Sequence, residues 1–387
     1  ELTLPLGSRR CGRCNWLSLP MASFCFRCGN PFTLELISEE NIDSHAFRSS
    51  IERRILKVGE IFLNRYVVLE VIQKDLTVDY IVFDRQNRKM LKVKTIVFEI
   101  PDGVKGFLNA ADIHLKIPHH KNLLKAYSLE IIEDKPYLFL EYVNGEDLRS
   151  LIQQEKLDIL KILDISVQIC EGMDHLWKTM RLVHRDLKPS NIITGDDGIV
   201  RIIDFEHAMI VGSQRDKDFD DFDIEKPRPI CGTLLYMSPE QFLCGEKIDT
   251  RSDIYSFGCM LYEMLTGQPV FKFKYPSIEI YLEHLLKVKP TPPIELAPDI
   301  PKELNALVMK CLEKEPEDRY QNFEVLKEEL IKIKETYDKT IPNTQKTFVV
   351  KKETTENNNH QLLLDEFLTH ELKVELPQNH WLFSLDG

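Results

Sequence analysis

The sequence contains no apolar run near the roughly 20 residues that a membrane-spanning helix needs, so no membrane span is expected. It has no excess of basic residues either, since 50 Lys and Arg stand against 62 Asp and Glu for a net charge of −12. Nucleic acids and anionic membranes are bound by basic surfaces, and this charge therefore excludes both classes of partner. The start, ELTLPLGSRR, lacks the apolar core of a secretory signal, and we expect a cytoplasmic protein.

The cysteine count is odd, at nine, which disfavours a framework of disulfides. Four cysteines stand together at the start of the chain: Cys11, Cys14, Cys25 and Cys28. They form two C-x2-C pairs, and two such turns facing each other provide a tetrahedral cage of four thiolates. Because all four ligands come from the protein, we predict a structural Zn²⁺ rather than a catalytic one. The pattern resembles a zinc ribbon, a module that docks partners.

The order of the hydrophobic patterns predicts the fold class. Period-2 alternation typical of strands runs from about residue 66 to 143, and amphipathic helical patterns follow from 147. A strand-rich half followed by a helix-rich half predicts an α+β fold of two lobes with a cleft between them. The predicted parts are a zinc ribbon at 1–35, a linker at 36–59, the two-lobed domain at 60–335, a linker at 336–360 and a tail with a possible docking helix at 361–387.

Five strings occur in a fixed order in the domain. They are HRDLKPSN at 184–191, DFE at 204–206, GTLLYMSPE at 232–240, RSDIYSFGCMLYEMLTG at 251–267 and CLEKEPEDRY at 311–320. Together they resemble a Hanks-type serine/threonine protein kinase across about residues 60–335. The resemblance implies a bilobal kinase fold, with a β-rich N-lobe and an α-helical C-lobe. It also implies transfer of the ATP γ-phosphate to protein hydroxyls, with ATP and Mg²⁺ or Mn²⁺ as cofactors.

The resemblance carries the catalytic roles over to four positions of the lower lobe. Asp186 would accept or orient the proton of the substrate hydroxyl, and Lys188 would reach the transferring phosphoryl group as a point charge. Asn191 and Asp204 would give oxygens to Mg²⁺, a hard cation that prefers such ligands.

The upper lobe is expected to bind ATP. The kinase lysine of the third strand is either Lys92 or Lys94, which share one strand face. We prefer Lys92, because that register puts Met90 on the adenine side. Leu140 would stand beside adenine, and the backbone of the hinge, Glu141 to Val143, would bind it.

Other positions match the family's regulatory and structural residues. Arg185 resembles the cation that a phosphate on the activation loop neutralises. An acidic stretch at 216–225 could replace that phosphate or could be solvated loop. Ser213 and Thr233 are hydroxyls of the same loop, and Thr233 resembles the threonine that contacts the catalytic aspartate.

Three further residues resemble structural positions of such kinases. Asp253 resembles the buried aspartate that tethers the catalytic loop. Glu240 and Arg319 resemble the ion pair that stabilises the lower lobe.

Three parts of the kinase pattern are missing. The loop at 71–80 contains no glycine, although the family carries a glycine-rich loop there. Ala110 or Ala111 stands where a helical glutamate would pair with the lysine, with Asp112 as the nearest acid, and Glu206 replaces the glycine of D-F-G. We therefore predict a kinase of modest activity, with a protein substrate or regulator docked by the ribbon or the tail. The alternative is a pseudokinase scaffold or a nucleotide-sensing interaction protein.

Overall fold

The computed structural model describes residues 9–10, 17–18, 55–74, 77–97, 101–154, 157–212, 233–243, 248–272 and 278–340. Outside these ranges lie the four cysteines of the predicted ribbon, most of both predicted linkers, the acidic stretch, Ser213 and the predicted tail. These remain predictions.

The N-terminal half of the described chain is mostly strand. A separate antiparallel pair comes first, β1 (Arg9–Arg10) and β2 (Leu17–Ser18). The strands that follow are β3 (Ile61–Phe62), β4 (Tyr66–Gln73), β5 (Thr77–Asp84), β6 (Lys89–Ile96), β7 (Ala126–Ile132) and β8 (Lys135–Glu141). They form one antiparallel six-stranded sheet in the order β3-β4-β5-β6-β8-β7. The strand-rich lobe is confirmed.

A network around Asp84 closes the hairpin between β5 and β6. Its carboxylate is fully buried and accepts two hydrogen bonds from the Arg65 guanidinium, at 2.8 and 2.7 Å. It also accepts from the backbone N–H groups of Gln86 and Asn87, an arrangement that favours a turn. The turn sets a register in which Asp84 pairs with Lys89.

One helix, α1 (Pro101–Lys116), separates β6 from β7 and packs against the sheet. It begins at Pro101, and proline is well suited to a first helical position. Phe107 and Ala111 of α1 pack with Leu138 and Leu140 of β8 in one buried cluster. The helix thereby presents one face to the space below the sheet.

The C-terminal half is mostly helix, as predicted. Its helices are α2 (Leu148–Gln153), α3 (Ile159–Met180), α4 (Pro239–Phe242), α5 (Thr250–Thr266), α6 (Ile278–Lys287), α7 (Pro293–Leu296), α8 (Lys302–Cys311) and α9 (Phe323–Thr340). Their apolar faces form the largest buried cluster of the described chain, with α5 buried along most of its length. None of the described helices is both long and apolar enough to cross a membrane.

Short strands at the top of the helical lobe hold the segments that face the sheet. They are β9 (Gly145–Asp147), β10 (Leu182–Val183), β11 (Ile192–Gly195), β12 (Val200–Ile202) and β13 (Met209–Ile210). They form the order β12-β11-β9 and the pair β10-β13. Residues 184–191 therefore connect β10 to β11, and residues 203–208 connect β12 to β13. Both connections open toward the cleft.

An ion pair fixes the base of the helical lobe. Arg319, whose side chain is fully buried, donates to both oxygens of Glu240 at 2.7 and 2.8 Å, which confirms the predicted pair. The guanidinium also donates to the carbonyls of Glu313, Arg251 and Lys314. Five directed hydrogen bonds match the fork of an arginine and no other side chain.

We expect Arg319→Ala to lower the free energy of unfolding by about 3–5 kcal/mol, because Glu240 keeps a buried charge without its partner. Arg319→Lys should recover only part of this loss. The control is Lys302→Ala at an exposed position, and urea unfolding measures all three variants. Equal stability of the Arg319→Ala and Lys302→Ala proteins would contradict the assignment.

The network at the hairpin predicts a pH dependence. The Arg65 hydrogen bond, reinforced by Asn87, lowers the pKa of Asp84 from 3.8 to about 2. Because the folded pKa is the lower one, the stabilisation is complete above the ordinary pKa and is lost as the pH falls through about 2.

Asp84→Asn should therefore cost about 2 kcal/mol at pH 7, and the difference from wild type should shrink toward pH 2. Urea unfolding at both pH values measures it. Asp134→Asn is the matched control, since Asp134 is exposed in a turn with a φ of 61° that asparagine tolerates. A loss at Asp84 that is the same at both pH values would exclude the carboxylate as its cause.

Candidate active site

The two lobes face each other across a cleft that is lined by residues of both. The sheet contributes Lys92, Lys94 and Leu140 to its lining. The lower lobe contributes Asn191 and Asp204, which were both predicted from sequence to bind a metal ion. The structure thus brings predicted residues from both lobes to one space.

The loop after β10 holds the carboxylate of Asp186 in a network of donors. Its Oδ1 accepts from the backbone N–H and the hydroxyl of Thr233, at 2.7 and 2.8 Å. Its Oδ2 accepts from Lys188 Nζ at 2.6 Å and from Asn191 Nδ2 at 3.2 Å. The predicted contact between Thr233 and Asp186 is confirmed. Four donors leave the carboxylate little freedom to rotate.

The backbone of this loop is strained and tethered. Arg185 has a φ of 63°, in the left-handed region that costs a non-glycine residue about 1–3 kcal/mol. Asp253 accepts from the N–H groups of His184 and Arg185, at 2.7 and 2.9 Å, which confirms the predicted tether. Burial raises the pKa of Asp253 to about 7, although the two donors oppose this shift. The tether holds the strained conformation that presents Asp186.

The structure corrects the sequence-based preference for Lys92 over Lys94. Lys94 Nζ lies 3.4 Å from Asp204 Oδ1 and contacts Glu206 Oε1, whereas Lys92 Nζ lies 2.9 Å from Asp79 Oδ2 within the sheet. Both lysines share one strand face, and the difference lies in where each ammonium finds an acid. Lys94 is therefore the candidate for nucleotide binding.

The charges around Lys94 are strongly coupled. Burial would lower the pKa of Lys94, but Asp204 and Glu206 outweigh it and hold that pKa above its ordinary value. Burial would raise the pKa of Asp204, but Lys94 dominates and holds it below its ordinary value. Lys94 and Asp204 are therefore both charged at neutral pH.

A second cluster of charges lies in the roof of the cleft. Asp79 on β5 is 1% exposed, and its carboxylate lies 2.9 Å from Lys92 and 3.0 Å from Lys74. Burial would raise the pKa of Asp79, but these lysines lower it further than burial raises it. The glycine-free loop at 71–80 thus brings Lys74 into the cleft lining.

Among the described residues of α1, the cleft lining includes Ala110, Ala111 and His114 and no acid. Burial lowers the pKa of His114 to about 4, so the ring is neutral at pH 7. Asp112, the nearest acid in sequence, pairs instead with Lys116 at 2.8 Å on the exposed side of the helix.

A cluster of three rings, tilted against one another, anchors the turn at Asp204. Phe205 is 2% exposed, and its ring centroid lies 4.7 Å from that of His114 and 5.2 Å from that of His184. Asp204 has a φ of 67°, a second strained position next to this anchor. The buried phenyl ring fixes where its two acidic neighbours can reach.

The predicted hinge follows β8. Leu140 lines the cleft, and the Glu141 N–H donates to the Lys125 carbonyl at 2.9 Å. Glu141 Oε1 lies 3.3 Å from Arg201 Nε, and Val143 packs against the buried cluster that contains Leu140. The hinge residues lie at the cleft edge, and their contact with a nucleotide remains a prediction.

The predicted role of Arg185 also remains a prediction. Its Nε donates to the His207 carbonyl at 2.6 Å. The acidic stretch and Ser213, its predicted regulatory neighbours, lie outside the described residues.

Sequence reasoning missed Asp79, Lys74 and His114. An acid in the middle of the apolar run of β5 was a signal for Asp79, since a buried charge needs a partner. The spacing of Phe107, Ala111 and His114 places them on one helix face, which was a signal for His114.

The sequence of the chain is similar to those of known proteins. A sequence model of the protein kinase domain matches residues 64–331. A probable serine/threonine-protein kinase of Clostridium acetobutylicum is 34% identical over 285 residues, 72% of this chain and 41% of that protein. The serine/threonine-protein kinase PknB of Mycolicibacterium smegmatis is 33% identical over 201 residues, 52% of this chain and 31% of that protein.

A third relative, a probable serine/threonine-protein kinase of Clostridium perfringens, is 29% identical over 289 residues, 73% of this chain and 40% of that protein. The chain therefore spans less than half the length of these relatives.

The roof cluster predicts an asymmetric response to mutation. Lys92→Met should lower the free energy of unfolding by about 3 kcal/mol, because Asp79 is too buried to be hydrated once it loses this partner. The double variant Lys92→Met with Asp79→Val should recover most of the loss. Urea unfolding measures both, and a double variant no more stable than the single one would show that the pair is not the cause.

Proposed function

Because the chain belongs to the protein kinase family, we propose that it is a serine/threonine protein kinase that transfers the ATP γ-phosphate to protein hydroxyls. The observation that carries this proposal is the carboxylate of Asp186, held by Thr233, Lys188 and Asn191 beside the cleft. Phosphoryl transfer depends on positioning and on neutralising charge, and this network supplies both.

Asp186 is the residue that orients the acceptor hydroxyl. Oδ1 and Oδ2 are both hydrogen-bonded, so the carboxylate is held in place as an acceptor for the hydroxyl proton. Thr233 donates its own hydroxyl to Asp186 and accepts from Lys188 at 2.7 Å. The threonine thus joins the acceptor-binding loop to the catalytic loop.

Two lysines provide positive charge at the transferring phosphate. Lys188 is 23% exposed, and its ammonium lies 2.6 Å from Asp186 Oδ2. Lys94 approaches from the sheet above, held by the acids of the lower lobe. Opposed ammonium groups neutralise charge on a phosphoryl group between the lobes.

The donor set fits magnesium. Asn191 donates its Nδ2 to the carbonyl and carboxylate of Asp186, which leaves its amide oxygen as the ligand atom. The backbone joins the two candidate ligands, since the Ile203 N–H donates to the Asn191 carbonyl at 2.9 Å. Asp204 supplies a carboxylate from the next residue. When bound, Mg²⁺ would neutralise the phosphate oxygens of ATP.

We expect turnover to be modest. Residues 71–80 contain no glycine, so the backbone there cannot approach phosphates as closely as glycine allows. Side-chain ammonium groups, Lys74 among them, take the place of that close approach.

A second candidate function is a nucleotide-sensing or scaffold protein without transfer. The observation that favours it is the Asp79–Lys92 pair, whose charged groups lie in the cleft roof where an apolar purine base would stack. Desolvating such a pair opposes base binding.

The remaining parts are proposals from sequence alone. The four N-terminal cysteines would hold a structural Zn²⁺, and the ribbon or the tail would dock a protein substrate or regulator. The cytoplasmic location also remains a prediction.

The test is phosphate transfer from labelled ATP with Mg²⁺, to the protein itself and to a generic acceptor protein. Asp204→Ala and Asp186→Asn should each lower the rate at least about 100-fold, because each removes a charge that acts on the reacting groups. Asp299→Ala, at an exposed position of the lower lobe, should leave the rate unchanged.

Equal, background-level transfer by wild type and Asp204→Ala would overturn the enzyme proposal. A rise in melting temperature of that inactive wild type with ATP and Mg²⁺ would then support nucleotide sensing, and no rise would support a scaffold.

A further inference from the structure

We propose that Glu206 positions Lys94 for the nucleotide phosphates and that it does so in place of an acid on α1. The inference rests on the proposed function, because it assigns a role within the same cleft. It makes Glu206 a positioning residue, acting through Lys94 and not on the substrate.

The ammonium group of Lys94 is buried in the cleft. The Lys94 side chain is 9% exposed, and a charge with so little water must be paired to stay in place. Its acidic contacts among the described residues both come from the turn after β12, at Asp204 and Glu206. The lysine is therefore oriented by the lower lobe.

The two acids that contact Lys94 have different roles in the proposed site. Asp204 is the proposed ligand of Mg²⁺. A carboxylate that binds the metal ion interacts less strongly with the Lys94 ammonium, because the two cations compete for it. Its oxygen already lies 3.4 Å from Lys94 Nζ, a longer contact than that of Glu206. Glu206 is the acid that remains for Lys94 once Asp204 takes up its metal role.

Helix α1 forms the opposite wall of the cleft. The face of α1 there presents Ala110, Ala111 and a neutral His114. Asp112 points away and pairs with Lys116. The acid that contacts Lys94 therefore comes from position 206, and α1 presents alanines at the same cleft.

The backbone that carries Glu206 is held in place by its neighbour Phe205. A positioning group must itself be held. Glu206 follows Phe205, whose ring is buried against His114 and His184, so its backbone is anchored at the cleft. The Glu206 side chain, 38% exposed, extends from this anchored backbone to Lys94.

This arrangement has a consequence opposite to the family pattern. Glu206→Gly creates the D-F-G sequence that such kinases carry, yet it should impair this protein. We expect Glu206→Gly and Glu206→Gln each to lower kcat/KM for ATP by about 10- to 100-fold, the range for groups that orient a ligand-binding side chain. The KM for the acceptor protein should not change.

Rescue supplies the specific test. Ala110 is half-buried and lines the same cleft from α1. Ala110→Glu in the Glu206→Gln background should restore most of the lost kcat/KM by returning an acid to Lys94 from the other side. Glu303→Gln, an exposed acid of α8, is the matched control and should behave as wild type.

A nucleotide-free readout keeps this inference separate from the proposed function. Glu206→Gln should lower the melting temperature, and Ala110→Glu should raise it in the Glu206→Gln protein more than in wild type, since there it replaces a missing partner. If wild type transfers no phosphate, the proposed function fails, while this coupling still supports or refutes the pairing of Lys94.

Three results would overturn the inference. The first is an active wild type with a Glu206→Gln variant of unchanged kcat/KM for ATP. The second is an increase in activity on loss of Glu206, which would mean that the acid withholds Lys94 from the phosphates. The third is additive changes in melting temperature, which would exclude a shared partner.

Discussion

The contact of Lys94 with Asp204 and Glu206 is the interaction on which the cleft depends. It joins the sheet of one lobe to a turn of the other, and Lys94 and Asp204 each favour the charged form of the other. Burying an ammonium without these acids would cost several kcal/mol. The geometry of the nucleotide site is therefore a product of charge pairing across the lobes and not of either lobe alone.

The lower half of the site could be predicted from sequence because its contacts are local or carried by whole motifs. Asp186, Lys188 and Asn191 lie within one short string, so their mutual hydrogen bonds follow from a single loop conformation. Asp253 and Arg319 are distant in sequence, yet the strings around them are specific enough to identify their partners. A buried polar residue in a known motif has few possible partners, which is why these assignments agree with the structure.

The upper half could not be predicted as well. Strand periodicity shows on which face of the sheet a side chain lies, but not where in the cleft it lies. Lys92 and Lys94 point the same way, and only the position of the lower lobe separates their roles. The hairpin register did contain further information. With Asp84 paired to Lys89, counting along both strands places Asp79 opposite Lys94 and Ile81 opposite Lys92. A buried acid among lysines could have been foreseen from that count.

The departures from the kinase pattern are better understood as one redistribution of charge than as separate losses. On α1, Ala110 and Ala111 line the cleft, and Glu206 of the turn below provides an anionic partner for the lysine between them. The sequence at 71–80 contains no glycine, and Lys74 brings a positively charged side chain to the cleft lining. Sequences that break a local rule at a functional site usually compensate nearby. Here each unusual residue is explained by a partner on the other side of the cleft. A scan that examines one motif at a time cannot detect such a pair.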